Sequence, residues 1–335
     1  MRRALGLAAL AVALLLGACA APPLAPPPAP PGSVRPYLAA QEFVADDGTA
    51  LPLRSWLPGG ETKAVILALH GFNDYSNAFT APAEDWAKQG IATYAYDQRG
   101  FGEAPNRGGW VGAERLALDA EEICLLLKER YPGRPLILLG ESMGGAVAIV
   151  AATGTLGTPP TLADGLVVAA PAVWGRSSMT MLERVALWLA DGVVPGMTVT
   201  GEGLRITPSD NTEMLRALSR DPLVLKETRI ASLEGLVDLM DAAAAAAPKL
   251  HAPMLFLYGD RDEIIPAEPT RRFLAALPGD EQRRIAFYPK GYHMLLRDLD
   301  AAVVREDVAA WVANRDRPLP SGADRHAQET LAASR

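Results

Sequence analysis

Six short runs of this chain are apolar at nearly every position: Ala64–Leu69, Ile91–Tyr96, Leu136–Leu139, Leu166–Ala170, Met254–Tyr258 and Ile285–Tyr288. A strand with one wet face alternates apolar and polar residues, whereas a strand apolar throughout is covered on both faces. Helical stretches separate the runs, at Pro82–Gln89, Ala113–Tyr131, Met143–Thr153, Pro269–Leu277 and Leu299–Asn314. This alternation predicts an open, doubly wound α/β fold around a mostly parallel sheet. Gln41–Ala45 and Leu51–Trp56 flank the turn residues Asp46-Asp47-Gly48 and predict an antiparallel hairpin ahead of it. One span breaks the rhythm. Val173 to Pro248 reads as helical material without a strand, inserted after the run that ends at Ala170. Such sheets bind ligands at the carboxyl ends of their strands, so residues 173–248 are read as a cap over a site.

The ends of the chain read differently from its middle, residues 37–316. Met1-Arg2-Arg3 is a short basic start, and Ala4–Leu16 is an apolar stretch shorter than the ~20 residues a spanning helix requires. Residues 1–18 therefore read as a secretory signal peptide. The stretch ends in Leu16-Gly17-Ala18-Cys19, which resembles the bacterial lipoprotein signal-peptidase box. That resemblance implies lipidation of Cys19 and a domain anchored by acyl chains in the bacterial cell envelope. Ala20 stands where an Asp would favour the inner membrane, which points to the outer membrane. Ala21–Pro36 is too rich in proline for helix or central strand and reads as an extended spacer. From Arg317 the chain is polar and carries Pro318, Pro320 and Gly322; it reads as a flexible tail, with His326 exposed and idle.

With 335 residues, 49% hydrophobic and 21% charged, the chain can bury a large core, which excludes collagen-like and disordered classes. Net charge is −7 and no segment concentrates Lys and Arg, so a nucleic-acid partner is excluded. Cys124, inside the run Ile123–Leu127, reads as a small buried hydrophobe and not as half of a disulfide.

The chemistry gathers at three places. Leu136–Leu139 leads into Gly140-Glu141-Ser142-Met143-Gly144-Gly145 and then a helical run. This is G-x-S-x-G between strand and helix, where a sharp turn lifts the serine out at the top of the sheet. Its hydroxyl needs a base, and the base needs an orienting acid. Of four histidines, His293 follows the last strand and precedes the last helix of the domain, and it is the candidate base. His251 reads as structural, and His70 as a packing and hydrogen-bonding support for its own loop. Asp260, Asp262 and Glu263 follow the penultimate strand. In a fold of this kind the acid stands a few residues past the strand, before an apolar pair and a proline. That selects Asp262, ahead of Ile264-Ile265-Pro266, and leaves Asp260 as a turn-former. A tetrahedral intermediate also needs two N–H donors. The amides of Met143 and of Phe72, in His70-Gly71-Phe72-Asn73, are the candidates for this oxyanion hole.

His70-Gly71-Phe72, Tyr96-Asp97-Gln98-Arg99-Gly100-Phe101-Gly102, Gly140–Gly145, Gly259-Asp260-Arg261-Asp262 and Gly291-Tyr292-His293 stand in one order over residues 40–315. Together they resemble the α/β-hydrolase superfamily, in the branch of monoacylglycerol lipases, lysophospholipases and serine-aminopeptidase-like (S33-type) hydrolases. Ser219-Arg220-Asp221-Pro222-Leu223 is similar to a phrase of the same branch. Glu141 departs from the His more frequent in bacterial members, and it is expected to point away from the pocket. The resemblance implies ester hydrolysis through an acyl-enzyme, with neither metal nor organic cofactor. A cap stripe of Met181, Leu182, Val185, Trp188 and Leu189 reads first as a face packed on the main domain; its second reading is the rim of an acyl tunnel or a face that dips into lipid, which with Phe72 and Met143 would form a long apolar groove. It suits single-chain lipids such as monoacylglycerol or lysophospholipid. A short-chain carboxylesterase or an aminopeptidase-like hydrolase would carry the same three residues. An inactive envelope scaffold is disfavoured because all three are present.

Overall fold

The computed structural model describes residues 28–179, 181, 191–201, 206–279 and 282–333. The segment read as a signal peptide, Cys19, and Leu182, Val185, Trp188 and Leu189 of the cap stripe lie outside the described residues.

The strands are β1 (Tyr37–Leu38), β2 (Glu42–Val44), β3 (Ala50–Trp56), β4 (Ala64–Leu69), β5 (Ile91–Tyr96), β6 (Leu136–Glu141), β7 (Gly165–Ala169), β8 (Thr198–Thr200), β9 (Glu227–Arg229), β10 (Met254–Gly259) and β11 (Arg283–Tyr288). Nine of them form one sheet in the order β1-β2-β3-β5-β4-β6-β7-β10-β11. From β5 to β11 every neighbour is parallel, while β1, β2 and β3 join antiparallel at one side. The expected hairpin is β2–β3, and β1 adds a two-residue pairing that the sequence reading did not anticipate.

The apolar runs are explained by the two faces they serve. In β4, Val65, Leu67 and Leu69 enter one buried cluster while Ala64, Ile66 and Ala68 enter another on the opposite side. Leu136 and Leu138 of β6 part from Ile137 and Leu139 in the same way. The helices are α1 (Thr80–Lys88), α2 (Ala113–Arg130), α3 (Met143–Thr153), α4 (Thr212–Arg220), α5 (Ile230–Ala246), α6 (Ala267–Ala276), α7 (Ala301–Ala313) and α8 (Ala323–Ala333). Trp86 of α1 and Trp311 of α7 fill one cluster; α2, α3, α5 and α6 supply the other. Burying a large aromatic side chain in this way is worth roughly 1.5–3 kcal/mol. Cys124 packs there as a free, fully buried thiol.

Two sequence expectations need correction. The span between β7 and β10 is not purely helical, because β8 and β9 pair antiparallel over three residues each. Strands so short leave no periodic signal in the sequence. The stretch after Arg317 is not a frayed tail: α8 packs on β11, buries Ala323 and Ala327, and its Asp324 pairs with Arg284 at 2.7 Å. Ala323 and Ala327, four apart, are too small to mark this buried face in the sequence, and Asp324 and Leu331 complete the contact.

One buried carboxyl sets a pH dependence. Glu121 of α2 is 4% exposed, its Oε2 has no partner, and burial pushes its pKa up to about 7. A raised carboxyl destabilises the fold progressively between its ordinary value, 4.5, and about pH 7, because the unfolded chain releases that proton first. Glu121→Gln should therefore raise the melting temperature at pH 8 by roughly 2–4 °C and change it little at pH 4.5, read by circular dichroism.

Candidate active site

Ser142 stands between β6 and α3 with φ +53° and ψ −115°, a conformation that costs an L-residue energy. Neighbouring backbone holds it there. Its N–H donates to Ala169 O at 2.9 Å, and its carbonyl accepts from Ala146 and Ala172 N–H at 3.1 and 3.0 Å. The turn is so tight that a Cβ on Gly140 would fall 2.2 Å from Gly144 O, and one on Gly144 2.0 Å from Leu69 O. Glycine is required at both. The serine side chain stays partly exposed at the amino end of α3, where the helix dipole favours negative charge.

Asp262 and His293 meet across the ends of β10 and β11. His293 Nδ1 lies 2.9 Å from Asp262 Oδ2, with both side chains almost wholly buried. The other carboxylate oxygen, Oδ1, accepts the Ile264 and Ile265 N–H groups at 2.8 and 2.9 Å. The apolar pair after Asp262 thus supplies the donors that orient it. Nδ1 being taken by Asp262, Nε2 is the nitrogen left to His293, and Ser142 and His293 both line the same cavity. Asp260 makes a different pair, and the expectation for His326 is corrected with it: His326 Nε2 lies 2.7 Å from Asp260 Oδ2, so α8 touches the acid loop from outside.

The loop after β4 is fixed from behind. His70 Nε2 accepts the Gln98 N–H at 3.0 Å, so Nδ1 carries the proton and donates to Gly71 O at 2.8 Å. Burial pushes the pKa of His70 down, which keeps that neutral tautomer. Phe72, edge-on to Phe101 at 5.4 Å, borders the cavity. The next residue, Asn73, donates from Nδ2 to Thr228 Oγ1 at 2.7 Å, and its carbonyl accepts Leu225 N–H at 2.9 Å. Tyr75 OH donates to Asp221 Oδ2 at 2.8 Å, which gives the Ser219–Leu223 phrase its structural meaning. These contacts tie the cap to the loop.

The cavity measures about 410 Å³, and its walls are mainly apolar: Phe72, Trp174, Leu236, Met240, Ile264 and Ile265. Two expectations fail here. Met143 turns its side chain into the core, fully buried, so only its amide remains near Ser142. Glu141 does not point away; it borders the cavity and pairs with the buried Arg297, Oε1 to Nη2, at 2.8 Å. The sequence offered no sign of Arg297, a cation in a loop without a local motif. A larger cavity, about 930 Å³, opens at the amino ends of the strands between Arg134, Arg284 and Arg315. It contains no serine or histidine, and the chemistry belongs to the smaller one.

A profile of the serine aminopeptidase S33 family matches residues 60–300. The monoglyceride lipase of Mus musculus is 27% identical over 285 residues, covering 84% of this chain and 92% of its own. The monoacylglycerol lipase of Mycolicibacterium smegmatis is 25% identical over 281 residues, covering 81% and 96%. Among solved structures, a soluble variant of the Saccharomyces cerevisiae monoglyceride lipase with a substrate analogue superposes with TM-score 0.67 at 21% identity, covering 86% and 98%.

Gly144→Ala should lower the melting temperature by more than about 5 °C or abolish soluble expression, since backbone on both sides must move. Gly59→Ala, with nothing within 4 Å, is the control and should shift it by less than about 1 °C.

Proposed function

The chain belongs to the serine aminopeptidase S33 family, and from that premise we propose that it hydrolyses esters of single-chain lipids through an acyl-enzyme on Ser142. It is an α/β-hydrolase of the lipase and esterase kind. The observation that carries the reading is the Asp262–His293 pair facing the cavity on which Ser142 opens. In this mechanism His293 Nε2 takes the hydroxyl proton as Ser142 Oγ attacks the ester carbon. Asp262 fixes the tautomer and stabilises the imidazolium. The oxyanion receives the amides of Met143 and Phe72. The proton on His293 then passes to the leaving alcohol, and a water molecule, deprotonated by the same imidazole, releases the acid.

The apolar walls support an acyl chain as the bound group, and the names of the mouse and mycobacterial relatives support monoacylglycerol as its ester. Lysophospholipid is the second member of the same chemical class. Part of the cap also presents apolar side chains to solvent, with Met181 72% and Val193 75% exposed. That fits an enzyme working against a lipid surface, as lipidation at Cys19 and an address in the bacterial outer membrane would require. The aminopeptidase reading has less support in the described site: the acidic groups that border the cavity, Asp74 and Glu141, are each ion-paired with Arg297.

Ser142→Ala should abolish p-nitrophenyl ester hydrolysis without lowering the melting temperature. Asp262→Asn should cost roughly 10³–10⁴ in kcat, and Asp260→Asn less than tenfold; the reverse ranking would move the acid to Asp260.

In a chain-length series, medium and long acyl esters should exceed acetate in kcat/KM by at least about tenfold, since each buried methylene contributes up to about 0.8 kcal/mol. Monoacylglycerol and lysophosphatidylcholine complete the series. A preference for acetyl esters or aminoacyl arylamides would overturn the lipid reading. In the full-length chain, radiolabelled palmitate should enter the protein and be absent from Cys19→Ala.

A further inference from the structure

Arg297 is 8% exposed, and one of its nitrogens does unusual work. Nη2 lies 2.7 Å from Asp74 Oδ2 and 2.8 Å from Glu141 Oε1. The three residues come from three separate places: Glu141 ends β6, and Asp74 and Arg297 lie in the loops after β4 and β11. Glu141 immediately precedes Ser142, Asp74 follows Phe72 by two positions, and Arg297 follows His293 by four. A single guanidinium therefore joins the turn that carries the base to the turn that carries the nucleophile and to the loop that offers the second oxyanion donor.

A buried ion pair is weak evidence for stability, because desolvating the charges costs about as much as their attraction returns. Here the arrangement is not even the most stabilising available: only the Glu141 contact is a hydrogen bond, the Asp74 contact is an ion pair without one, and Arg297 Nε and Glu141 Oε2 make no hydrogen bond. What it does supply is a fixed distance between loops. The base turn is short and internally bonded, with Arg297 and Asp298 N–H both donating to Met294 O at 2.8 and 3.0 Å. These bonds close Met294–Asp298, the turn that directly follows His293. On its other side the turn is held by the cap. Asn211 Nδ2 donates to Arg297 O at 2.9 Å, and Ser209 Oγ to Asp298 Oδ1 at 2.6 Å.

We propose that Arg297 is a positioning residue for the base: seated between Asp74 and Glu141, it sets where His293 stands relative to Ser142 and the oxyanion hole. The proposal rests on the reading of Ser142 and His293 as nucleophile and base. It gives Glu141 a task that its place in the motif does not suggest. Because Arg297 also borders the cavity, a role in holding substrate is the competing account, and kinetics separates the two. Misplacing a base slows chemistry, whereas losing a wall contact weakens binding.

The experiment measures kcat, KM and melting temperature for Arg297→Met, Arg297→Lys, Glu141→Gln and Ser142→Ala, with a p-nitrophenyl ester of medium chain. Arg297→Met should lower kcat about 30–100-fold with KM within about threefold, the size of effect a misplaced catalytic group produces. Since one nitrogen meets both carboxylates, an ammonium can replace it, and Arg297→Lys should recover kcat to within about fivefold of wild type. Glu141→Gln, which keeps the acceptor and loses the charge, should cost kcat about 3–10-fold; it decides the matter should Arg297→Met fail to fold. Wild-type kcat in folded Arg297→Met or in Glu141→Gln, or a change confined to KM, would overturn the positioning role. If Ser142→Ala is then inactive, the nucleophile reading survives that loss. Activity persisting in Ser142→Ala would overturn both.

Discussion

Where β4, β6 and α3 converge, main chain rests on main chain with no space for a single methyl group. The contact between Gly144 and Leu69 O draws the amino end of α3 against the end of β4, and the contact between Gly140 and Gly144 O folds β6 into that helix. Interiors are packed as closely as organic crystals, so this point is a fixed origin from which other positions are measured. Ser142 takes its strained backbone from it, and the loop from His70 to Asn73 starts beside it. The parallel sheet matters to the site mainly because it brings four strand ends, those of β4, β6, β10 and β11, to this one level.

The rest of the site is anchored by charge buried near that level. Arg99, 4% exposed, meets Asp47 and Asp119 at 2.7 Å each, and Asp97 accepts the Ser76 N–H, the Ser76 hydroxyl and the Glu103 N–H. These pairs lie behind the loop after β4, and Gln98 between them fixes His70. Carboxylates that accept several N–H groups specify one loop conformation against the others available to a chain segment without regular structure. The cap is attached through the same loop, by way of Asn73 and Tyr75. The cap and the loop after β4 are therefore one mechanical unit.

How much of this the sequence disclosed depended on whether a feature has a period or a local motif. The six core strands were legible because burial on both faces makes every residue apolar, and β4 and β5 run over the residues read for them. Helix α3 was legible because the glycines and the following apolar run mark its start. Strands β8 and β9 were not, since Thr-Val-Thr and Glu-Thr-Arg are too short to show an alternation. Helix α8 was missed because its burial rests on Ala323 and Ala327, which are too small to stand out. Among the site residues, Ser142, Asp262 and His293 each stand in a turn with its own local signature. The Arg297 tie has none, being formed by residues 156 positions apart through side chains alone. Glu141 was misjudged for the same reason: its neighbour in space is invisible from its neighbours in the chain.

Helix α8 bears on how the domain comes into being. It begins thirty residues after His293, yet it lies on β11 and reaches back to Asp260 at the mouth of the acid loop. Synthesis is vectorial, and a domain emerging from the ribosome folds as its parts become available. A nascent chain that has exposed only residues up to Asp316 already contains Ser142, Asp262 and His293, the proposed nucleophile, acid and base. Its β11 still lacks the helix that covers Ile285 and Phe287, and the acid loop lacks its outer contact. The proposed catalytic groups are thus complete in the chain before they are complete in the fold, and the interval between the two is the time taken to translate a helix that lines no part of the cavity at Ser142.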